Sequence, residues 1–187
     1  LVDLTHERDV ADLEHTLARQ VANEIKGTFD NTKAGLTISY TFDTFAPISF
    51  TDQHAVLNEF VRGNTTIEDV SFVCTTAPFC TVGVETARIT RSQDGAFLKG
   101  ALRNLRTNDS FVSAQKGEVS VGAVAFSEAG PRITITLPVY NQPQQIIAVL
   151  FGTITLDTIQ ETVAKSILGE TGYVYVVDGA GRIIAHP

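Results

Sequence analysis

Three strand-length runs arrive in quick succession at residues 118–126, 132–139 and 145–156, separated only by Ser127-Glu-Ala-Gly-Pro131 and Tyr140-Asn-Gln-Pro-Gln144. Linkers this short join antiparallel neighbours, because a parallel crossover needs a dozen or more residues. In Arg132-Ile-Thr-Ile-Thr-Leu137 the alternation of apolar and polar residues is strict. Successive strand side chains point to opposite faces, so one face of this meander is predicted to be buried and the other polar. The elements around it have to cover the apolar face.

Upstream, Val10, Leu13, Leu17, Val21, Ile25 and Phe29 recur every three or four positions, with charged residues between them. That spacing predicts one long amphipathic helix over residues 10–29, with a weak capping signal that also allows a continuation from further upstream. Residues 36–50 read either as a strand or as a continued helix. A short helix follows to Val61, started by Thr51 or Asp52 and ended at Gly63-Asn64. Residues 70–75 and 82–89 are β-branched runs that predict a hairpin, and residues 97–105 are expected as a loop with a helical stretch. After the meander, Asp157 is expected to cap a helix to Leu168 with Gly169 as its stop. A last hairpin, residues 172–187, turns at Asp178-Gly-Ala-Gly181. The order predicts an α+β fold: an antiparallel sheet flanked by helices, then the opening strands of a second unit. A lone hairpin is marginally stable, so that last pair needs a partner surface.

Composition narrows the function classes. Apolar residues make up 43% and charged residues 19% of the 187, which argues against disorder. The net charge is −7, and the 14 Lys and Arg are scattered, so nucleic acid is not an expected partner. No run of about 18 apolar residues marks a membrane span, and no charged-then-apolar leader is present. A chain that begins at Leu1 and holds no Met reads as a piece of a longer protein. Cys74 and Cys80 flank a turn-like stretch; they either bridge across the hairpin or stay reduced, and zinc is not expected. The sequence holds no nucleophile elbow, phosphate loop or paired carboxylates at acid/base spacing. Neither an enzyme nor a cofactor is expected. His186 reads as a strand-end residue and Asp178 as a turn residue.

Gly169-Glu-Thr-Gly-Tyr-Val-Tyr-Val-Val-Asp178, followed by Gly181-Arg-Ile-Ile-Ala-His-Pro187, resembles the segment opening the membrane-proximal half of double Cache sensor domains, which are PAS-like. Residues 131–139 and 148–156 are similar to the last two strands of their membrane-distal half. The resemblance implies a long helix over residues 1–35, a distal PAS-like unit over 36–168, and the start of a truncated proximal unit over 169–187. It further implies an extracytoplasmic input domain of a membrane-anchored receptor, such as a histidine kinase, nucleotide cyclase or chemoreceptor. Such a domain binds a small ligand or a protein partner and signals through its first helix, with a homodimer through that helix as one arrangement. A spacer that binds nothing is the alternative, and a hydrolase the remote one.

Members of that family that bind amino acids use an Arg-x-Trp-Tyr-x-x-Ala pattern and an Asp on the last distal strand. Aligned on Ala114, this chain has Asn108, Ser110 and Phe111 at the first three of those positions and Thr153 in place of the Asp. A buried carboxylate without a cationic partner is costly, so a neutral or hydroxylated ligand is expected in place of a free amino acid. The candidate ligand-binding residues are Phe111, Phe126, Thr134, Tyr140 and Thr153. Core packing is the default for the two phenylalanines, and a solvated strand face for Thr134, Thr136 and Tyr140. Arg103 and Arg106 are read first as solvated arginines on a helical surface, with anion binding as the alternative.

Overall fold

The computed structural model describes residues 2–38, 50–78, 80–92, 94–128, 130–140, 145–168 and 172–187. The elements are α1 (Val2–Ile38), α2 (Phe50–Gly63), β1 (Ile67–Cys74), β2 (Glu85–Arg91), β3 (Phe97–Lys99), α3 (Asp109–Ala114), β4 (Ser120–Val121), β5 (Ala125–Ser127), β6 (Gly130–Tyr140) and β7 (Ile146–Thr155). Then come α4 (Asp157–Lys165), β8 (Ile167–Leu168), β9 (Gly172–Tyr173), β10 (Val176–Val177) and β11 (Ile183–Ala185). Contacts divide the chain into two compact units, residues 33–155 and residues 1–32 with 156–187.

The larger unit is built on an antiparallel sheet of order β3-β2-β1-β7-β6-β4, with β5 also paired to β6. The expected hairpin is β1 with β2, and the expected meander ends in β6 and β7. The predicted single strand over 118–126 is instead two short pieces, β4 and β5, because the chain leaves the ladder between them. The helical stretch expected within 97–105 is absent. Residues 97–99 form β3, and the chain then runs irregularly along the outer edge of β2. There Arg88 accepts from the Gly100 amide, Glu85 donates to the Arg103 carbonyl, and Leu105 donates to the Gly83 carbonyl. A strand edge offering unpaired backbone groups captures a segment more strongly than weak helix propensity can hold it.

One face of the sheet carries Val70, Phe72, Ala87, Ile89, Ile135, Leu137, Val139 and Leu150, all buried. α2 lies on this side and buries Leu57, Phe60 and Val61. Arg91 fastens the end of α2, donating to the carbonyls of Val61 (2.9 Å), Asn64 (3.1 Å) and Ile67 (3.2 Å) while its guanidinium lies 4.9 Å from the Phe97 ring. Val61 stands in the last turn of α2, where a cation is favourable.

Cys74 and Cys80 are joined by a disulfide, with Cα atoms 6.0 Å apart. Bridging so short a loop restricts the unfolded chain, so replacing both cysteines with serine is expected to cost about 2 kcal/mol. Chemical denaturation of the oxidised wild type against the double variant measures this. A difference below about 0.5 kcal/mol would mean the bridge contributes little.

In the smaller unit, α1 extends well beyond the predicted residues 10–29. The apolar stripe is buried at Val21 and exposed at Val10 and Leu13. α4 begins one position after Leu156, so Asp157 is its first residue and supplies a favourable acidic charge instead of a side-chain cap. β10 and β11 form the predicted hairpin, while β9 pairs with β8. Asp178 is a turn residue: it accepts from the amides of Ala180 and Arg182, both at 2.9 Å, and from Arg182 Nε. Those bonds, the Arg182 amide foremost, hold its carboxyl below the usual range. His186 packs its ring 4.9 Å from that of Tyr173 and its backbone pairs with Gln160. The ambiguous residues 39–49, the Gly169 stop and most of the Tyr140–Gln144 turn lie outside the described residues.

Candidate functional site

The second face of the sheet in the larger unit is polar. Ladder partners share a face, and the register places Thr90, Asp69, Thr153 and Thr134 in one row across β2, β1, β7 and β6. The next row is Arg88, Ser71, Phe151, Thr136 and Ser120, and the third is Glu85, Val73, Val149 and Pro138. Asp69, Ser71, Glu85 and Thr136 are the buried polar residues among those described, and all four stand on this face. Polar groups are seldom buried without partners, so a face that hides four of them is the candidate site.

The segment from Arg103 through α3 covers part of the face, and β4 beyond it belongs to the sheet. Over the third row, Phe111 and Ala114 of α3 pack against Val73, Val149 and Phe151, with Val82 and Leu105 at the margin. Asn108 starts this helix, its Oδ1 accepting from the Phe111 amide at 3.2 Å. Asn108 therefore serves here as a helix cap. Further along, Gly122 donates its amide to the Thr134 carbonyl at 2.8 Å and adds no side chain beside that threonine.

A four-charge network ties the cover to the sheet. Arg103 donates from Nε and Nη2 to Glu85 Oε1 (2.9 and 2.6 Å), and from Nη2 to Asp69 Oδ1 at 3.2 Å. Its own amide donates to Glu85 Oε2 at 2.7 Å. Asp69 Oδ2 also accepts from Arg88 Nε (2.7 Å) and the Thr90 hydroxyl (2.6 Å), and Arg88 reaches the Ala101 carbonyl at 2.9 Å. Burial pulls the Arg103 pKa down, but the Glu85 hydrogen bonds and the two nearby carboxylates pull it up further, leaving it above its ordinary value. The expectation of a solvated helical Arg103 is corrected by this geometry. Its side chain is 40% exposed, yet it serves a Glu85 side chain with no exposure at all.

Two features hold the backbones close. Gly83 has φ of +79°, and a Cβ there would stand 2.5 Å from Arg106 Cα. At Gly100 an added Cβ would meet Arg88 Cδ at 2.8 Å. Both glycines permit the edge segment to lie against β2.

Of the sequence candidates, Thr134 and Thr153 meet on the polar face, their hydroxyls 3.0 Å apart. Phe111 is buried in the cover. Tyr140 is exposed at the end of β6, with its hydroxyl near Gly117. Phe126 is exposed, sits on β5 opposite Pro131, and does not join the others. Sequence reasoning singled out Arg103 but not Asp69, Ser71, Glu85 or Ser120. The alternation Asp69-Val-Ser-Phe-Val73 carried a signal, but polar strand residues ordinarily face water. A groove of about 420 Å³, lined by His54, Cys80, Thr81, Val84, Glu85, Thr86 and Leu102, opens at the β2 edge and shares Glu85 with the polar face. Among the described residues no group of three metal-ligating side chains occurs, and no helix is long and apolar enough to cross a membrane.

An antiparallel sheet with a helix on its apolar face and an irregular cover over its polar face defines a PAS-like module. Residues 4–187 match the Cache domain family, and the chain belongs to it. The fold is shared with methyl-accepting chemotaxis protein X, at a TM-score of 0.70 and 15% identity over 92% of this chain and 72% of that one. The extracellular domain of the histidine kinase mmHK1S-Z2 gives a TM-score of 0.72 at 12% identity, over 98% and 73%. The ligand-binding domain of the Campylobacter jejuni chemoreceptor Tlp3, in complex with 4-methylisoleucine, gives 0.61 at 17% identity, over 92% and 69%. No curated protein matches the chain by sequence.

Proposed function

We propose that this Cache domain is the extracytoplasmic signal-sensing part of a transmembrane receptor, that it binds a small ligand on the polar face of its sheet, and that it signals through α1. The observation that carries the reading is the gathering of Asp69, Ser71, Glu85 and Thr136, all buried, on one covered face. Thr134, Thr153 and Phe111 belong to the site, and Tyr140 stands at its margin. Phe126 stays a candidate only if the cover moves. Membership of a sensory family argues for a non-catalytic domain, with any kinase or cyclase in a cytoplasmic region. Residues 1–35 are the connecting helix, 36–168 the membrane-distal unit, and 169–187 the start of a membrane-proximal one. The exposed side chains of Tyr173, Tyr175, Val177 and Ile183 support that last assignment, since a hairpin needs a surface to pack against. The exposed Val10 and Leu13 on α1 favour a homodimer through the same helix, and this contact is the basis of the spacer alternative.

Thermal-shift screening of the 187-residue chain against amino acids, carboxylates, amines and sugars tests the site. A ligand at 100 times its Kd adds about 2.7 kcal/mol, which raises Tm by about 5–10 °C for a chain of this size. The shift is expected to vanish in Thr134→Val and Thr153→Val. A stabilising compound indifferent to both would place the site elsewhere, and a set with no stabiliser would favour the spacer.

A further inference from the structure

We propose that the polar face takes a neutral, polyhydroxylated small molecule of the polyol or sugar class. This rests on the reading of that face as the ligand site and adds the chemistry of what it accepts.

The charged groups there are already matched. Both oxygens of Asp69 accept bonds from Arg88, Thr90 and Arg103, and both oxygens of Glu85 accept from Arg103. Each carboxylate already accepts three bonds, so an ammonium group would have to compete with Arg88 and Arg103 for it. Two guanidiniums face two carboxylates, so the cluster has no net charge. An anion laid against Arg103 would stand beside Asp69 and Glu85, and their repulsion offsets the attraction it gains. A bound cation meets the converse obstacle at Arg88 and Arg103.

Hydroxyls make up what remains to be paired. Ser120 Oγ, in the row of Thr136 and Phe151, is buried and has no hydrogen-bond partner. A buried hydroxyl left unpaired is unfavourable, and a ligand hydroxyl reaching it removes that cost. Thr134 and Thr153 bond to each other, which uses one O–H and leaves the second donor and several lone pairs. Each such group both donates and accepts, the property a polyol hydroxyl shares and a carboxylate or ammonium lacks. Gly122, lacking a side chain beside Thr134, keeps the pair open at the end of its row.

Isothermal titration of the 187-residue chain with myo-inositol, xylitol and glucose tests this, beside L-valine, malate and putrescine. Titration is chosen because polyols also stabilise proteins non-specifically by exclusion. At least one neutral compound is expected to bind saturably, with affinity changing less than about twofold between about 0.05 and 0.5 M salt. Ser120→Ala, Thr134→Val and Thr153→Val are each expected to weaken it at least about tenfold, the scale of a lost buried hydrogen bond. The two valine variants keep the side-chain shape, and a circular-dichroism melt confirms folding. Binding of valine, malate or putrescine that these variants weaken would overturn the ligand class and keep the face as the site. No binding by any compound, or binding that none of the variants alters, would overturn the site and the class together.

Discussion

Replacing Arg103 with leucine is expected to destabilise the domain by about 3 kcal/mol, lowering Tm by about 6–12 °C. Breaking a buried ion pair from one side typically costs about 3–5 kcal/mol because the remaining charge is left without its partner. Here the remaining charge is Glu85, whose side chain is fully enclosed. Two features place the loss at the lower end. Arg103 is itself 40% exposed, so water enters where the guanidinium was, and its backbone amide still donates to Glu85 Oε2. The double variant Arg103→Leu with Glu85→Gln removes the stranded charge and is expected to recover about 1 kcal/mol or more. Denaturant titration of the two singles and the double measures the coupling. A loss under about 1 kcal/mol for Arg103→Leu would reduce the network to an ordinary solvated pair.

Phe111→Ala is expected to cost about 3–5 kcal/mol, the usual range for deleting a fully buried phenylalanine side chain. Phe111, 1% exposed, is the larger of the two α3 residues that fasten the cover over Val73, Val149 and Phe151. Its loss opens a cavity beneath a six-residue helix that has little intrinsic stability of its own. Phe111→Leu keeps most of the volume and is expected to cost under about 1.5 kcal/mol. Ligand binding separates cover from core: Phe111→Ala is expected to weaken it because the cover no longer closes the face. A small stability loss with unchanged binding would show that α3 neither stabilises the domain nor encloses the site.

Much of the sheet was legible in the sequence. Strict alternation in β6 and the β-branched pair of runs around the cysteines each encode strand by a short-range pattern that tertiary packing reinforces. The covering segment was not legible in the same way. Residues 97–105 lack a strong period, so their conformation was settled by the open edge of β2 and by Gly83 and Gly100. Of the candidate site, Thr134 and Thr153 were proposed from the family resemblance, and they share a row of the polar face. Asp69 and Glu85 were missed because a charged residue in a strand is, from sequence, a solvent-facing one.

By itself the sequence determined the kind of structure: a long amphipathic helix and an antiparallel meander with one apolar and one polar face. These follow from periodicities and residue identities that operate over a few positions. Only the tertiary structure decided that the polar face lies under a cover and not in water. That depends on residues apart in the chain, above all Arg103 reaching Glu85 and Asp69 from the segment along the outer edge of β2. Their separation in sequence is invisible to any local pattern, and their pairing is what lets charge be buried there.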